Sequence, residues 1–239
     1  MLPPRHMTDP TKSPTEFDAY AVDYAELIRD PIRDRFAASS RFFFERKLEV
    51  IQSFYRRRGV ETRNLTWLDV GCGQGDLMKV AAAHFKSAAG CDRSEGMLKA
   101  CAPYEVRHQV GDECLPFEDS RFDFATVVCV YHHVPDEQRL ALTRDVMRTL
   151  KPGGVMCIIE HNPLNPVTRL IVSRTPVDAD AHLLRAGQAG SLLISAGARI
   201  LESRYFLYFP QSVYRFLAPA ERLLSAVPLG GQYAVFAQK

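Results

Sequence analysis

The sequence predicts an α/β chain: a mostly parallel, doubly wound sheet with helices on both faces. Two observations carry this. Short apolar runs alternate with helix-period segments from about residue 66 to 160, the order that builds strand–helix–strand units. The first run, Thr66–Val70, ends beside a carboxylate and passes straight through three glycines into a helix, so a ligand-binding turn lies at a strand tip.

The chain has 239 residues, enough for one domain with a full core and appendages. Its 30 Lys and Arg barely exceed its 28 Asp and Glu, which argues against nucleic acid as a partner and favours a small molecule. The six cysteines form no C-x-x-C pair, so no metal site is expected. Several lie in apolar runs, as in a reducing, cytoplasmic setting. No apolar run is long enough to span a bilayer. Residues 1–16 are rich in Pro and polar residues and read as a disordered leader.

Taken in order, residues 17–28 place Phe17, Tyr20, Ala21, Tyr24 and Ile28 on one helical face, and Pro31 breaks the pattern. A second helix is expected over 42–58, with Phe44, Leu48, Ile51 and Phe54 inward and Gly59 as its C-cap. Arg56, Arg57 and Arg58 at its end read as a solvated terminus. After Thr66–Val70 and the glycines, a helix starts at Asp76, carrying Leu77, Val80, Ala81 and His84 at helix spacing. A weak strand over 87–91 ends at Asp92, with Ser94 as cap of the next helix. A third strand covers 105–110. A strongly apolar fourth covers 122–130 and emerges at Tyr131-His132-His133. Asp136 is placed to cap a helix over 137–150 with Leu140, Val146, Met147 and Leu150 inward. Lys151-Pro152-Gly153-Gly154 reads as a turn before a fifth strand over 155–160. A short helix starts near Asn165 and Pro166. Beyond it come a helix over 188–196 ended by Gly197, a strand over 200–209, a helix over 212–227 that Pro219 should interrupt, and a strand over 232–237.

The glycine loop attracts an anion in principle, through N–H groups at a helix start. Its spacing, G-x-G-x-G, is one residue short of the dinucleotide fingerprint, and the lysine of a phosphate loop is absent. Asp92 lies about twenty residues on, at a strand tip, where one carboxylate can accept from both hydroxyls of a ribose.

The run Leu68-Asp69-Val70-Gly71-Cys72-Gly73-Gln74-Gly75 resembles the first motif of the class I S-adenosylmethionine-dependent methyltransferases of small-molecule type. Phe17-Asp18-x-Tyr20-Ala21-x-x-Tyr24, Gly111-Asp112 before Leu115-Pro116-Phe117, and Leu150-Lys151-Pro152-Gly153-Gly154 followed by Glu160 resemble later parts of that family in the expected order. The resemblance implies a Rossmann-like sheet of seven strands whose last strand is antiparallel, within a single domain over 17–239. It implies S-adenosylmethionine as cofactor, S-adenosylhomocysteine as product, and a helical lid over 17–59. Asp69, Gly71, Cys72, Gly73 and Gly75 would lie under the methionine end. Asp92, Arg93 and Met97 would serve ribose and adenine, with Asp112, Glu113 and Val130 completing the cofactor side.

The methyl group of a sulfonium needs no activation, so the residues that matter are those that align a nucleophile and take its proton. His132, His133, His161 and Glu160 sit at strand tips and are the candidates for that work. The segments 161–187 and 210–231 fall on the acceptor side, and their apolar residues suit a partly hydrophobic acceptor. An RNA methyltransferase, and a cofactor-binding protein without turnover, are the alternatives; the even charge balance argues against the first.

Overall fold

The computed structural model describes residues 16–111 and 113–239. All but the last residue of the expected leader, and Asp112, lie outside the described residues. Among these, ten α-helices surround a seven-stranded sheet.

The N-terminal segment is three short helices rather than one. A turn at residues 21–23 separates α1 (Glu16–Tyr20) from α2 (Tyr24–Leu27). Pro31 does not merely end the pattern; it starts α3 (Pro31–Phe36), capped by Asp30, whose Oδ1 accepts from the Ile32 and Arg33 N–H groups at 2.7 and 3.2 Å. Helix α4 (Ser40–Arg56) buries Leu48, Ile51, Phe54 and Tyr55; its C-cap is Arg57 rather than the expected Gly59, which follows two residues on with φ +69°. The arginines after it are not simply solvated: Arg57 and Arg58 both reach Glu202 on a distant strand.

Strand β1 (Thr66–Val70) leads to α5 (Asp76–Ala81), β2 (Ser87–Asp92), α6 (Glu95–Leu98) and β3 (Glu105–His108). His84 lies past the end of α5 and is exposed, since the helix tightens into a 3-10 turn at Ala82. Strand β4 (Phe122–Val128) precedes α7 (Asp136–Thr149). Asp136 is the first residue of α7 rather than its cap, and Leu140 is only half-buried; Leu142, Val146 and Met147 face the core. Strand β5 (Leu150–His161) absorbs the Lys-Pro-Gly-Gly turn as a bulge: Phe122 pairs with Leu150 and Phe124 with Val155. Then come α8 (Pro166–Val172), capped by Asn165, α9 (Ala186–Ser195), β6 (Arg199–Phe206), α10 (Gln211–Leu224) and β7 (Gln232–Gln238). Pro219 lies inside α10 without ending it.

The strand order is β3-β2-β1-β4-β5-β7-β6, with β7 antiparallel to both neighbours and the strands from β3 to β5 parallel. Alternate residues feed two cores. Leu68, Val127, Ile158 and Val235 face one layer, which includes α7 and α9; Trp67, Phe124, Cys157 and Phe236 face the other, which includes α4 and α5. The parallel strands end on one edge, so the residues after β1, β2, β4 and β5 converge there. The order reverses between β1 and β4, and such a switch point opens a crevice.

Phe54 is fully buried and stacks on Phe236 with ring centroids 4.0 Å apart, joining α4 to the sheet. Phe54→Ala is expected to lower unfolding free energy by about 3–5 kcal/mol, measured by urea denaturation. A loss under about 1 kcal/mol would mean that α4 is not part of the cooperative core.

Candidate active site

The glycine loop is shaped by what passes over it. Gly71 has φ +69°, and a Cβ there would lie 2.3 Å from Cγ2 of Val130, so only glycine lets the loop clear the exit of β4. Gly73 has φ +53° and open space where its Cβ would be, leaving room beside the backbone. The N–H groups of this loop are largely taken, against the expectation of free donors. Gly71 and Cys72 donate to the Cys91 carbonyl at 2.8 and 3.0 Å, Gly75 to that of Cys72 at 2.9 Å, and Gly73 to Asp92 Oδ2 at 2.8 Å. The anion this loop holds is therefore Asp92. Its other oxygen accepts from the Ser94 N–H at 2.9 Å. Burial raises the Asp92 pKa, opposed by these N–H donors. Each carboxylate oxygen keeps a lone pair for a further donor. Ser94, as expected, caps α6 by accepting from the Met97 N–H.

Asp69 sits under the loop. Thr126 donates to it at 2.6 Å while accepting from the indole of Trp67 at 2.8 Å. Burial pushes the Asp69 carboxyl up to about 7, and the Thr126 hydroxyl holds it from rising further. Cys72, Arg93, Met97 and Val130 line the same cavity as Gly71 and Gly73. Glu113 does not; it is exposed on the turn closed by the Gly111–Cys114 bridge. Gln109, buried at the end of β3, takes a place on the wall instead.

At the tips of β4 and β5 a second constellation forms. Glu160 has no exposure; it accepts from the Tyr131 N–H at 2.8 Å and from His132 Nδ1 at 2.6 Å. His132 Nε2 lies 3.4 Å from Asp178 Oδ1, and His133 Nε2 lies 3.4 Å from the same oxygen. Burial disfavours charge on His132, but Glu160 and Asp178 overcome it and raise the ring to about 10. Glu160 and Asp178 are correspondingly held below the usual carboxylate range, burial notwithstanding. His132, His133 and Asp178 put three potential metal ligands within 4.8 Å of one another. With Glu160 on its Nδ1 and Asp178 beside its Nε2, the His132 ring links two carboxylates into an ion chain.

His161 is the third ring, its centroid 5.4 Å from that of His132. Burial, followed by the positive His132, lowers it to about 4, so it is neutral at pH 7 and one ring nitrogen is an acceptor. It lines the cavity. Asn162 turns the other way: its amide donates to the carbonyls of Pro228 and Gly230, pinning the loop before β7.

These groups face one cavity of about 790 Å³. A further wall comes from the N-terminal helices: Phe17, Tyr24, Ile28, Arg33 and Phe36. That wall is tied across the glycine loop. Asp18 accepts from Ser94 Oγ at 2.7 Å and from the Gly96 N–H at 2.9 Å, while Gln74 donates to the Ala21 carbonyl at 2.7 Å. Lys47 of α4 is buried, lies 4.8 Å from the Phe44 ring centroid, and lines the cavity; burial lowers its pKa.

Sequence reading missed Lys47, Asp178, Gln109 and Thr126. Lys47 had a signal: it sits three residues after Phe44 and four before Ile51, on the apolar face of its helix. Asp178 had none, because an irregular segment brings it to His132.

The ion chain makes a stability prediction. His132 lies above its ordinary 6.5, so its contribution is full below that pH and is lost as pH rises through about 10. Glu160 lies below its ordinary 4.5, so its contribution is present above that pH and is lost on acidification. Glu160→Gln is expected to cost about 3–5 kcal/mol near pH 6, the usual loss on breaking a buried pair. Urea denaturation should find the gap narrowing toward pH 10; a pH-independent gap would point to shape rather than charge.

Residues 68–158 match the family described as a methyltransferase domain. The chain is 36% identical over 110 residues to a demethylmenaquinone methyltransferase of Staphylococcus saprophyticus, a match covering 42% of this chain and 46% of that one. A Staphylococcus aureus protein of the same name is 37% identical, with 42% and 45% covered. The chain thus spans about half the length of the curated relatives it matches. A solved S-adenosylmethionine-dependent methyltransferase from Thermotoga maritima, described as a possible histamine N-methyltransferase, shares the fold with a TM-score of 0.65 at 17% identity, over 93% of this chain and 98% of that one. One from Archaeoglobus fulgidus gives 0.58 at 20%, over 84% and 100%. Residues 68–158 thus match a methyltransferase domain, and the seven-stranded sheet with its antiparallel β7 is the fold this chain shares with those solved S-adenosylmethionine-dependent methyltransferases.

Proposed function

We propose that this chain transfers the methyl group of S-adenosylmethionine to a small, partly apolar acceptor. The observation that carries the reading is the single cavity running from Asp92 and Gly73 to His161. The cofactor, when bound, supplies an electrophilic methyl on a sulfonium. Asp92 would accept from the ribose hydroxyls through its remaining lone pairs, and the space beside Gly73 would take the chain that follows. Met97 and Gln109 flank the adenine end. Arg33 gives the opposite wall positive charge and Lys47 adds a buried amine donor, suited to an anionic group.

Acceptor alignment falls to the tips of β4 and β5. His161 is neutral and can accept a hydrogen bond from an acceptor hydroxyl or amine. His133, 23% exposed, is anchored to Asp178 and meets the Phe17 ring edge-on, with centroids 5.0 Å apart. Glu160 is buried behind them and acts by fixing the loop; His132, also buried but on the cavity lining, is held between Glu160 and Asp178. Val167, Ile171 and Tyr208 add apolar surface. An apolar ring compound such as demethylmenaquinone, named for the curated relatives, is the first acceptor to try. The pinned helices 16–36 would act as the lid.

Asp92→Ala should weaken S-adenosylhomocysteine binding more than about tenfold, or ~1.4 kcal/mol, in calorimetry. Unchanged affinity in a folded variant would remove Asp92 from the site. Screening acceptors with labelled cofactor should identify one on which His161→Ala turns over at least about tenfold more slowly with product affinity kept. Because His161 must be neutral to accept, the acid limb of kcat should lie near 4 and not near 6.5. Parallel loss of binding and turnover would move His161 to the cofactor side.

A further inference from the structure

Among the described residues, twelve large apolar side chains are exposed, and eight belong to two neighbouring segments: Leu164, Val167 and Leu170 at α8, and Val213, Phe216, Leu223, Val227 and Leu229 on α10 and the turn after it. Scattered exposed apolar residues need no explanation, but a concentration does. The segments touch. Asn165 donates to the Leu229 carbonyl at 2.6 Å and Thr168 to that of Gly231 at 3.0 Å, so the start of α8 lies against the turn that α10 feeds. On α10 the exposed set repeats at helix spacing, 213, 216 and 223, away from the buried face, where Glu221 pairs with Arg46. Phe216 is 67% exposed and Leu223 85%.

Exposed charge on these two helices has one sign. Helix α8 contains no acidic residue, and the one acid of α10, Glu221, is only 4% exposed. Arg169, Arg174, Arg215 and Arg222 are exposed on the same segments, and the Arg215 guanidinium lies over the Phe216 ring at 4.3 Å. Over the whole chain positive and negative residues nearly balance, so this local excess is a property of the patch. An amphipathic helix with aromatic and leucine side chains on one stripe and arginines beside it suits the interface of a bilayer with acidic headgroups. The patch is also continuous with the cavity: Val167 is 47% exposed and lines it, and Pro210, the residue before α10, lines it too.

We propose that α8, α10 and the turn at 225–231 form a docking surface for an anionic lipid bilayer, which seats the mouth of the cavity at the membrane. No helix among the described residues is long and apolar enough to cross a membrane, so the contact is peripheral. Apolar side chains enter the headgroup boundary, and the arginines meet lipid phosphates. An apolar acceptor could then pass between bilayer and cavity beside Val167 without crossing water.

The full chain is to be sedimented with vesicles of phosphatidylcholine alone and with about one-third phosphatidylglycerol. Binding should be at least about tenfold tighter to the acidic vesicles and should weaken at about 1 M salt, where charges are screened beyond ~3 Å. Arg215→Glu with Arg222→Glu should abolish the preference for acidic lipid. Phe216→Asp with Leu223→Asp should lower binding at least about tenfold while leaving the thermal midpoint and S-adenosylhomocysteine affinity unchanged, since both side chains are exposed. Failure of methyl transfer in any assay leaves this readout intact. Equal binding to both vesicles, wild-type binding by the aspartate variant, or a dimer in light scattering that the aspartate substitutions dissociate would each overturn it; the last would make the face a contact between copies of this chain.

Discussion

Glu160 is the constraint on which the candidate site depends. It is an ionised group with no exposure at the tip of β5, and such a charge persists only if fully partnered. Its two oxygens take the Tyr131 N–H and the His132 ring, both from the segment leaving β4. That segment must turn there. Cys129 adopts φ +56°, and the 3-10 turn Tyr131–His133 follows. The same requirement draws in Asp178, because a positive His132 needs a second acceptor for Nε2. One buried carboxylate thus fixes two strand tips and an irregular segment, and leaves His161, kept neutral by burial, beside a positive neighbour that reinforces it.

The glycine-loop end of the cavity works by a comparable economy. Asp92 closes the glycine loop by accepting from Gly73 and starts the turn into α6 by accepting from Ser94. A carboxylate so held is preorganised: its orientation is set before any hydroxyl arrives. Its raised pKa records the cost of burial, which further donors would offset. The N-terminal helices lean on the same region through Asp18 and Gln74, so the wall over the cavity is coupled to the loop beneath it.

The apolar architecture supports these polar centres without supplying chemistry. Aromatic residues concentrate on the α4 side of the sheet, where Phe54, Tyr55, Phe124 and Phe236 pack together and Phe85 bridges Trp67 to Phe124. This rigid layer holds α4, and with it Lys47, against the crevice at the switch between β1 and β4. The outer segments, α8 and α10, carry the exposed apolar surface that the sheet does not need.

Much of this was legible in the sequence because its causes are local. Short apolar runs and helix-period faces pointed to strands β1 to β5 and helices α4, α5 and α7. Gly71, Gly73 and Gly75 marked the loop, because a left-handed backbone at close approach demands glycine. Asp92 followed from its place at a strand tip. What failed were readings where one residue serves two local patterns: Pro31 starts α3, Pro219 rides inside α10, and Lys151–Gly154 bulges within β5. Only the tertiary structure decided the partners of buried charge. Asp178 reaches His132, and Lys47 reaches the cavity, through contacts between segments far apart in the chain. Long-range electrostatics leaves no periodicity in the sequence. The sequence by itself determined the sheet, the glycine loop and the acid at the tip of β2; the folded chain decided which histidine carries charge, which stays neutral, and which apolar face is left exposed.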